Sequence, residues 1–369
     1  MKILSYHPLY LYSYGGGARI LRRLYKGHED KVIGFTTIYY SSKYTPGAIK
    51  ETVYKVKPTY QSWMKSYLRT IVYWSQYHTF LNYNKNRIKK KALTLDYDIL
   101  HVVDHGPFSA TLSDLSLKKT VWTSFHDHFS TAGGSFENTQ KLWLQSTRRL
   151  VISEQMGVEY QRLFGEKEFE IITDGVNIEE NAIPFNINKS AITIYFAGLL
   201  HHDYLPLFEV LATAIDKLIV EKKYHIRVVL RGTQQVKYLN NRLFETIYNP
   251  ASFDDVELRN ELNSASILYL PIKFTVPDFY LYSLSTKMIG YLGASGSILY
   301  HGPDDSAACK LLKSSKAAVC CNSLNVDDLT IAIEELIDNS QQFSRNAKEL
   351  AKSKFDMEKI KERFWQLNT

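Results

Sequence analysis

What this sequence lacks narrows it before any motif does. No stretch of about 18 consecutive apolar residues occurs in it, which excludes a membrane-spanning helix and leaves attachment to a membrane surface open. Cysteine is scarce: Cys309, Cys320 and Cys321 are the only three, two are adjacent, and none stands at metal-ligand spacing. That gives neither a disulfide framework nor a zinc site, and it fits a reducing, cytoplasmic setting. The opening "MKILSYHPLYLYSYGGG" has one lysine and no apolar run of signal-sequence length. Internal repeats and low-complexity tracts are missing too. Tyrosine, by contrast, is abundant: 26 residues, the larger part of a 13% aromatic fraction.

A length of 369 residues suits two domains of roughly 150 residues each. Charge is unevenly shared between them. Residues 1–170 hold 24 Lys and Arg against 14 Asp and Glu, whereas the remainder holds 21 against 24. A basic front half suits an anionic partner such as acidic lipid, a phosphate-bearing substrate or nucleic acid; it is otherwise a solvated basic face.

Short apolar, β-branched runs recur with helical patterns between them. In the first half they are Lys2–Tyr6, Val32–Phe35, Ile99–Val103, Val121–Phe125, Leu150–Ser153 and Phe169–Ile172. In the second half they are Ile192–Ala197, Ile226–Arg231, Ile267–Leu270, Ser297–Tyr300 and Ala318–Cys321. Continuous apolar runs suit strands buried on both faces of a parallel sheet, and the alternation predicts βαβ units in two sheets. The break falls at residues 177–190, where "DGVNIEENAIPFNINKS" has Pro184, several asparagines and no apolar periodicity. The fold class is therefore α/β, with doubly wound domains over 1–176 and 191–354 and ligands expected in the cleft at the strand C-terminal ends. The tail "FDMEKIKERFWQLNT" reads as an amphipathic helix with Phe355, Ile360, Phe364 and Leu367 near one stripe.

Several strand ends carry polar chemistry. Gly15, Gly16 and Gly17 stand between the first strand and a helix expected from Ala18, with Arg19 in its first turn. Such a loop cradles a phosphate or simply turns tightly. "SFHDHFSTAGG" places His126, Asp127 and His128 after another strand, where they would act as general base, contact a sugar hydroxyl, ligate a metal or close a hydrogen-bonded loop. Asp174–Gly175 reads as a turn with a positive φ at the glycine. Gly198 repeats the glycine logic in the second half, followed by His201 and His202; Arg231 and Gly232 end the next strand. In "LSTKMIGYLGASGS", Ser285 is a natural N-cap, with Thr286 and Lys287 in the first helical turn. A lysine there opposes the helix dipole, so it answers an anionic ligand or is merely solvated.

The order of these motifs resembles GT-B glycosyltransferases, most closely the GT4-like group that uses nucleotide-activated sugars. The resemblance runs nearly end to end through "GGGAR", "YDILH" around His101, "FHDHF", "VISEQM", "ITDGVN", "FAGLL", "VVLRG", "SASILYLP" and "LSTKMIGYLGASGSILYHGP". It implies that the helix over 355–369 returns to the first domain and that Gly16 and Gly17 lie near the donor diphosphate. It also implies that His126 or Asp127 faces the transferred sugar or acceptor, and that Ser285, Thr286 and Lys287 face the donor's phosphates. The group's acidic pair is replaced by Tyr282 and Gly290, and its basic pair by Leu199 and Tyr204. Asp278, His201, His202 and Arg231 are the candidate substitutes. An inverting reaction would use Asp127 as base; a retaining one would need none.

On the acceptor side, Tyr60, Trp63, Tyr67, Ile71 and Trp74 recur at helical spacing with Lys65 and Arg69 between them. Lys85, Arg87, Lys89, Lys90 and Lys91 follow. The pattern suits an interfacial helix on anionic lipid or a core stripe; single-stranded nucleic acid has no other support in the chain. The expectation is a metal-independent glycosyltransferase that uses a nucleotide sugar as co-substrate and no cofactor. Its acceptor is a hydroxyl of a glycan or lipid-linked molecule, in bacterial surface polysaccharide biosynthesis. It is expected in the cytoplasm or peripheral on the membrane's inner face. The alternative is a catalytically degenerate GT-B protein serving as a sugar-binding or scaffolding subunit.

Overall fold

The structure is a computed structural model that describes residues 1–13, 15–40, 47–60, 63–178, 182–200, 202–252 and 254–367. The chain forms two compact units, Met1–Asp174 with Ile360–Thr369, and Gly175–Lys359.

The first unit is built on seven parallel strands: β1 (Ile3–His7), β2 (Val32–Tyr40), β3 (Lys50–Tyr60), β4 (Ile99–Val103), β5 (Thr120–Phe125), β6 (Arg148–Val151) and β7 (Glu170–Ile171). Their order is β3-β2-β1-β4-β5-β6-β7. The second unit has six parallel strands: β8 (Ile192–Ala197), β9 (Ile226–Arg231), β10 (Glu245–Asn249), β11 (Ile267–Pro271), β12 (Ser297–His301) and β13 (Ala318–Cys321). They lie in the order β10-β9-β8-β11-β12-β13. Both sheets are wound outward from their first strand in two directions, so each has a switch point beside that strand, between β1 and β4 and between β8 and β11. Helices leaving adjacent strands there go to opposite faces, which opens a crevice at the strand C-terminal ends.

The central strands β1, β4, β11 and β12 are buried along their whole length because helices cover both faces. Two edge strands escaped the sequence reading, β3 and β10. Each is half-exposed, mixes polar with apolar residues, and has no continuous apolar run of strand length. Pro58 is tolerated in β3 because an edge strand has a side without ladder partners.

The tail helix, Met357–Gln366, buries Ile360 and Phe364. Phe364 packs edge-on against Tyr25 and Trp122 at 5.9 and 5.5 Å between ring centroids and lies 5.3 Å from His101. Trp365 Nε1 donates to the Leu24 carbonyl at 2.9 Å. Gly175 does not have the positive φ expected of it. A side chain there would start 2.7 Å from the Met357 Cα, so close backbone approach is what requires glycine.

Candidate functional site

The helix after β1 begins two residues earlier than expected. It spans Gly16–Tyr25, with Gly15 as its N-cap at φ +143°, a conformation that side chains strain to adopt. Gly16 and Gly17 are thus the first helical turn. A Cβ on Gly17 would stand 3.0 Å from His126 Nδ1 and 3.3 Å from His7 Nε2. The preceding loop is pinned by two polar residues: Glu51 accepts from the Leu11 amide at 2.7 Å, and Arg22 donates to the Ser13 carbonyl at 3.0 Å.

Three neighbouring strand ends meet this turn. β1 ends in His7, β4 is followed by Asp104 and His105, and β5 is followed by His126 and Asp127. His126 is buried, and neither ring nitrogen has a hydrogen-bond partner among the described residues. Burial first, then the nearby His7, His101 and His105, pushes its pKa down to about 3, so the ring stays neutral with one N–H and one lone pair. His101, one strand over, is its opposite: Nδ1 meets the Tyr25 hydroxyl and Nε2 the Ser124 hydroxyl, both at 2.6 Å. A satisfied histidine is a core residue; an orphaned one beside a glycine turn is a candidate site residue.

Asp104 was not singled out by sequence. It is buried, Oδ2 accepts from Thr139 Oγ1 at 2.7 Å, and Oδ1 has no partner among the described residues. Burial raises its pKa to about 6. Asp127 is half-buried, and its carboxylate offsets part of the burial-driven lowering of the His105 pKa. His128 is buried as well: Nδ1 pairs with Ser130 Oγ at 2.8 Å and the ring lies against Phe129 and Tyr160.

In the second unit the turn after β8 holds Gly198 at φ +121°. The helix Thr286–Leu292 delivers Lys287 to it. Lys287 and Tyr291 are one turn apart on the same face; the Tyr291 hydroxyl accepts from the Ala197 amide at 3.3 Å, and the Lys287 ammonium sits 3.0 Å from where a Gly198 Cβ would be. Nζ also lies 5.4 Å from the centre of the Phe196 ring. Among the described residues it makes no ion pair or hydrogen bond, and burial lowers its pKa to about 8.

Both glycine turns thus leave the first strand of a doubly wound sheet and face an unpartnered buried or half-buried polar group. The fold is GT-B. The chain is similar to Anabaena HepE in complex with UDP, at 12% identity, 99% coverage of both chains and a TM-score of 0.68. It is also similar to trehalose-6-phosphate synthase OtsA, at 13% identity over 99% and 98% of the two chains with a TM-score of 0.68. An α,α-trehalose-phosphate synthase from Burkholderia xenovorans in complex with glucose-6-phosphate matches at 11% identity, 99% and 98% coverage and a TM-score of 0.64. These similarities establish the GT-B fold and do not single out the GT4-like group within it. No family model matches the sequence, and no curated protein does.

Within the GT-B fold several expected site residues have other work. Arg231 is buried and committed to its own unit: it pairs with Glu261 and Glu257 and donates to the Pro250 carbonyl at 2.8 Å. Its charge is neutralised there, so it is not a free donor-phosphate cation. Arg19, together with Arg23, grips the buried Asp174 at 3.0 and 2.7 Å, locking the glycine helix to the end of the first unit. The Ser285 hydroxyl caps its helix by accepting from the Lys287 amide at 3.2 Å, with Thr286 half-buried behind it. His202 is exposed at the start of a short 3₁₀ turn, and Asp278 lies in the first turn of the helix Pro277–Tyr282. His201 lies outside the described residues. Tyr204 is a core residue, whereas Leu199 is 67% exposed beside Gly198.

On the acceptor side Tyr60 closes β3 and is not part of a helix. Trp63 and Lys65 precede the helix Ser66–Tyr77, which carries Arg69; Lys89, Lys90 and Lys91 lie on the helix Leu81–Leu93. The aromatic stripe is not core: Trp63, Tyr67, Ile71 and Trp74 are all exposed. No described helix is long and apolar enough to cross a membrane.

Proposed function

We propose that this protein is a glycosyltransferase that takes a sugar from a nucleotide-sugar donor. The observation that carries the reading is Lys287: a cation unpaired among the described residues and held against a glycine turn at the first strand of the second sheet. A diphosphate is the ligand that this pairing of charge and open backbone recognises. Solved GT-B structures bound to UDP, such as that of HepE, support the choice of ligand.

In this reading Lys287 takes the charge that develops on the leaving diphosphate, and the reaction calls for no metal or other cofactor. In the first unit Gly16 and Gly17 leave the helix start open, and His126, neutral, offers its N–H or lone pair to a sugar hydroxyl. Asp127 or Asp104 receives or orients the acceptor hydroxyl, which belongs to a glycan or lipid-linked acceptor of bacterial surface polysaccharide. Asp104, with a pKa near 6 and an oxygen that has no partner among the described residues, suits proton transfer near neutral pH.

Tyr282 and Gly290, where GT4-like enzymes carry carboxylates, favour a second reading: a GT-B protein that binds a sugar nucleotide without turning it over. Nucleotide release from a panel of UDP-, GDP- and CMP-sugars in the presence of glycan acceptors separates the two. Release that disappears in Lys287→Met supports the transferase. Binding with no release from any donor supports the degenerate subunit, and no binding at all overturns both.

A further inference from the structure

We infer that the segment from Trp63 to Leu93 is a docking surface for an anionic lipid bilayer. This deepens the transferase reading by placing its acceptor in a membrane, and it rests on that reading for the acceptor alone.

The argument begins with charge. Residues 52–95 contain nine Lys and Arg and not one Asp or Glu, in a chain that elsewhere mixes both signs. A solvated surface helix normally interleaves opposite charges; a long acid-free stretch is what an anionic plane selects. Lys65, Lys90 and Lys91 are exposed and make no ion pair with described residues.

The second observation is apolar exposure where burial was available. In the helix Ser66–Tyr77 only Gln76 is fully buried, donating to the Pro58 carbonyl at 2.6 Å. Tyr67, Ile71 and Trp74, spaced four and three residues apart, form a stripe on the side opposite Gln76, and they are 60, 59 and 57% exposed. Trp63, just before the helix, is 76% exposed. Exposed aromatics continue through the turn into the next helix at Phe80 and Tyr83, whose rings meet edge-on. The helix is thus anchored through Gln76 and through Tyr77, whose ring stacks on Phe108 at 6.1 Å, and shows the Tyr67, Ile71 and Trp74 stripe to solvent.

Tryptophan and tyrosine with flanking lysines are the residues that sit at the headgroup level of a bilayer, rings in the interface and ammonium groups on lipid phosphates. Near the lysine end a shallow cleft of about 340 Å³ is lined by Lys89, Lys90, Lys118, Leu93, Leu117 and Asp114, whose carboxylate pairs with Lys89 at 3.0 Å. Lys90 and Lys118 beside exposed leucines suit an anionic headgroup with the start of its acyl chains.

The test is sedimentation of the full chain with vesicles of phosphatidylglycerol mixed into phosphatidylcholine, against phosphatidylcholine alone. Strong partition onto the mixed vesicles alone is expected. Replacing Lys65, Lys90 and Lys91 by glutamine should lower it on the order of 100-fold, since each basic group near such a surface contributes about fivefold. Trp63→Ser with Trp74→Ser should remove the blue shift of tryptophan emission on binding. Both variants should bind UDP as the parent does, which keeps failure of docking distinct from failure of the donor site. Equal partition onto both vesicle types, or none, overturns the proposal. So does a dimer in solution that these substitutions dissociate, which would assign the face to a second copy of the chain.

Discussion

A methyl group on Gly17 would begin 3.0 Å from Nδ1 of His126. The helix start and the end of β5 are therefore packed to contact, and the imidazole between them has no partner for either nitrogen among the described residues. Orphaned buried polar atoms cost about 1–3 kcal/mol each, so a fold keeps them where a ligand supplies the missing bonds.

That arrangement sets stability against function. His126→Leu removes two unsatisfied nitrogens at similar volume and should leave thermal stability unchanged or raise it by about 1 kcal/mol, while transfer falls at least about tenfold. Gly17→Ala should cost about 1 kcal/mol as the ring gives way, with a larger loss of activity. Thermal melting and nucleotide release measure the two. A drop of several kcal/mol in His126→Leu would mean that the ring is a structural residue.

Lys287 gives a pH signature. Its pKa, lowered by burial to about 8, means that the site loses its cation as pH rises through that value. A bound diphosphate favours the ammonium and raises its pKa, so binding takes up a proton and weakens between about pH 8 and 10. In Lys287→Met that slope should vanish, with affinity at pH 7 lower by about tenfold to a hundredfold, the size of a charge-assisted contact. Calorimetric titration in buffers of different ionisation enthalpy reads the proton directly.

Arg231 makes the opposite prediction. Arg231→Ala strands Glu261 and Glu257 in its own unit and should cost about 3 kcal/mol of stability, discounted for the half-exposed Glu257. Nucleotide affinity at saturating fold should not change. A variant that stays stable and loses affinity would return Arg231 to the donor site.

The first unit should be acid-sensitive. His7, His101 and His126 have folded pKa values of about 4, 3 and 3, all depressed chiefly by burial. Below about pH 6.5 the unfolded chain takes up protons that the folded chain refuses, so the stability these groups contribute is present above that pH and is lost as pH falls towards 4. Asp104 works in the other sense over part of the window, since its raised pKa of about 6 lets the folded state bind one extra proton there. Three histidines against one carboxyl leave a net loss on the order of 2 kcal/mol per pH unit. Denaturant melts from pH 7 to pH 4.5 check it; a flat profile would mean that these rings are solvated.

Much of the architecture could be read from residues alone because buried parallel strands are continuous apolar runs: Ile99–Val103, Ile192–Ala197, Ile226–Arg231 and Ala318–Cys321 begin and end where the sequence places them. The edge strands could not, since half-exposed backbone needs no such run. At the site, Gly17, His126 and Lys287 stood out as strand-end and helix-start residues. Asp104 looks like any polar residue closing an apolar run; its significance is a buried carboxylate oxygen with no partner among the described residues, which only tertiary packing creates. Arg231 looked free for the converse reason: its carboxylates lie 26 and 30 residues further along the chain, on a helix.

The most direct test of the account is the melting temperature of the protein against UDP-, GDP- and CMP-sugars and the corresponding diphosphates, in parent and Lys287→Met. One donor should raise Tm by roughly 5 °C or more at about a hundred times its Kd, with most of the shift lost in the variant at the same concentration. No shift with any nucleotide or nucleotide sugar, or an equal shift in Lys287→Met, would contradict it.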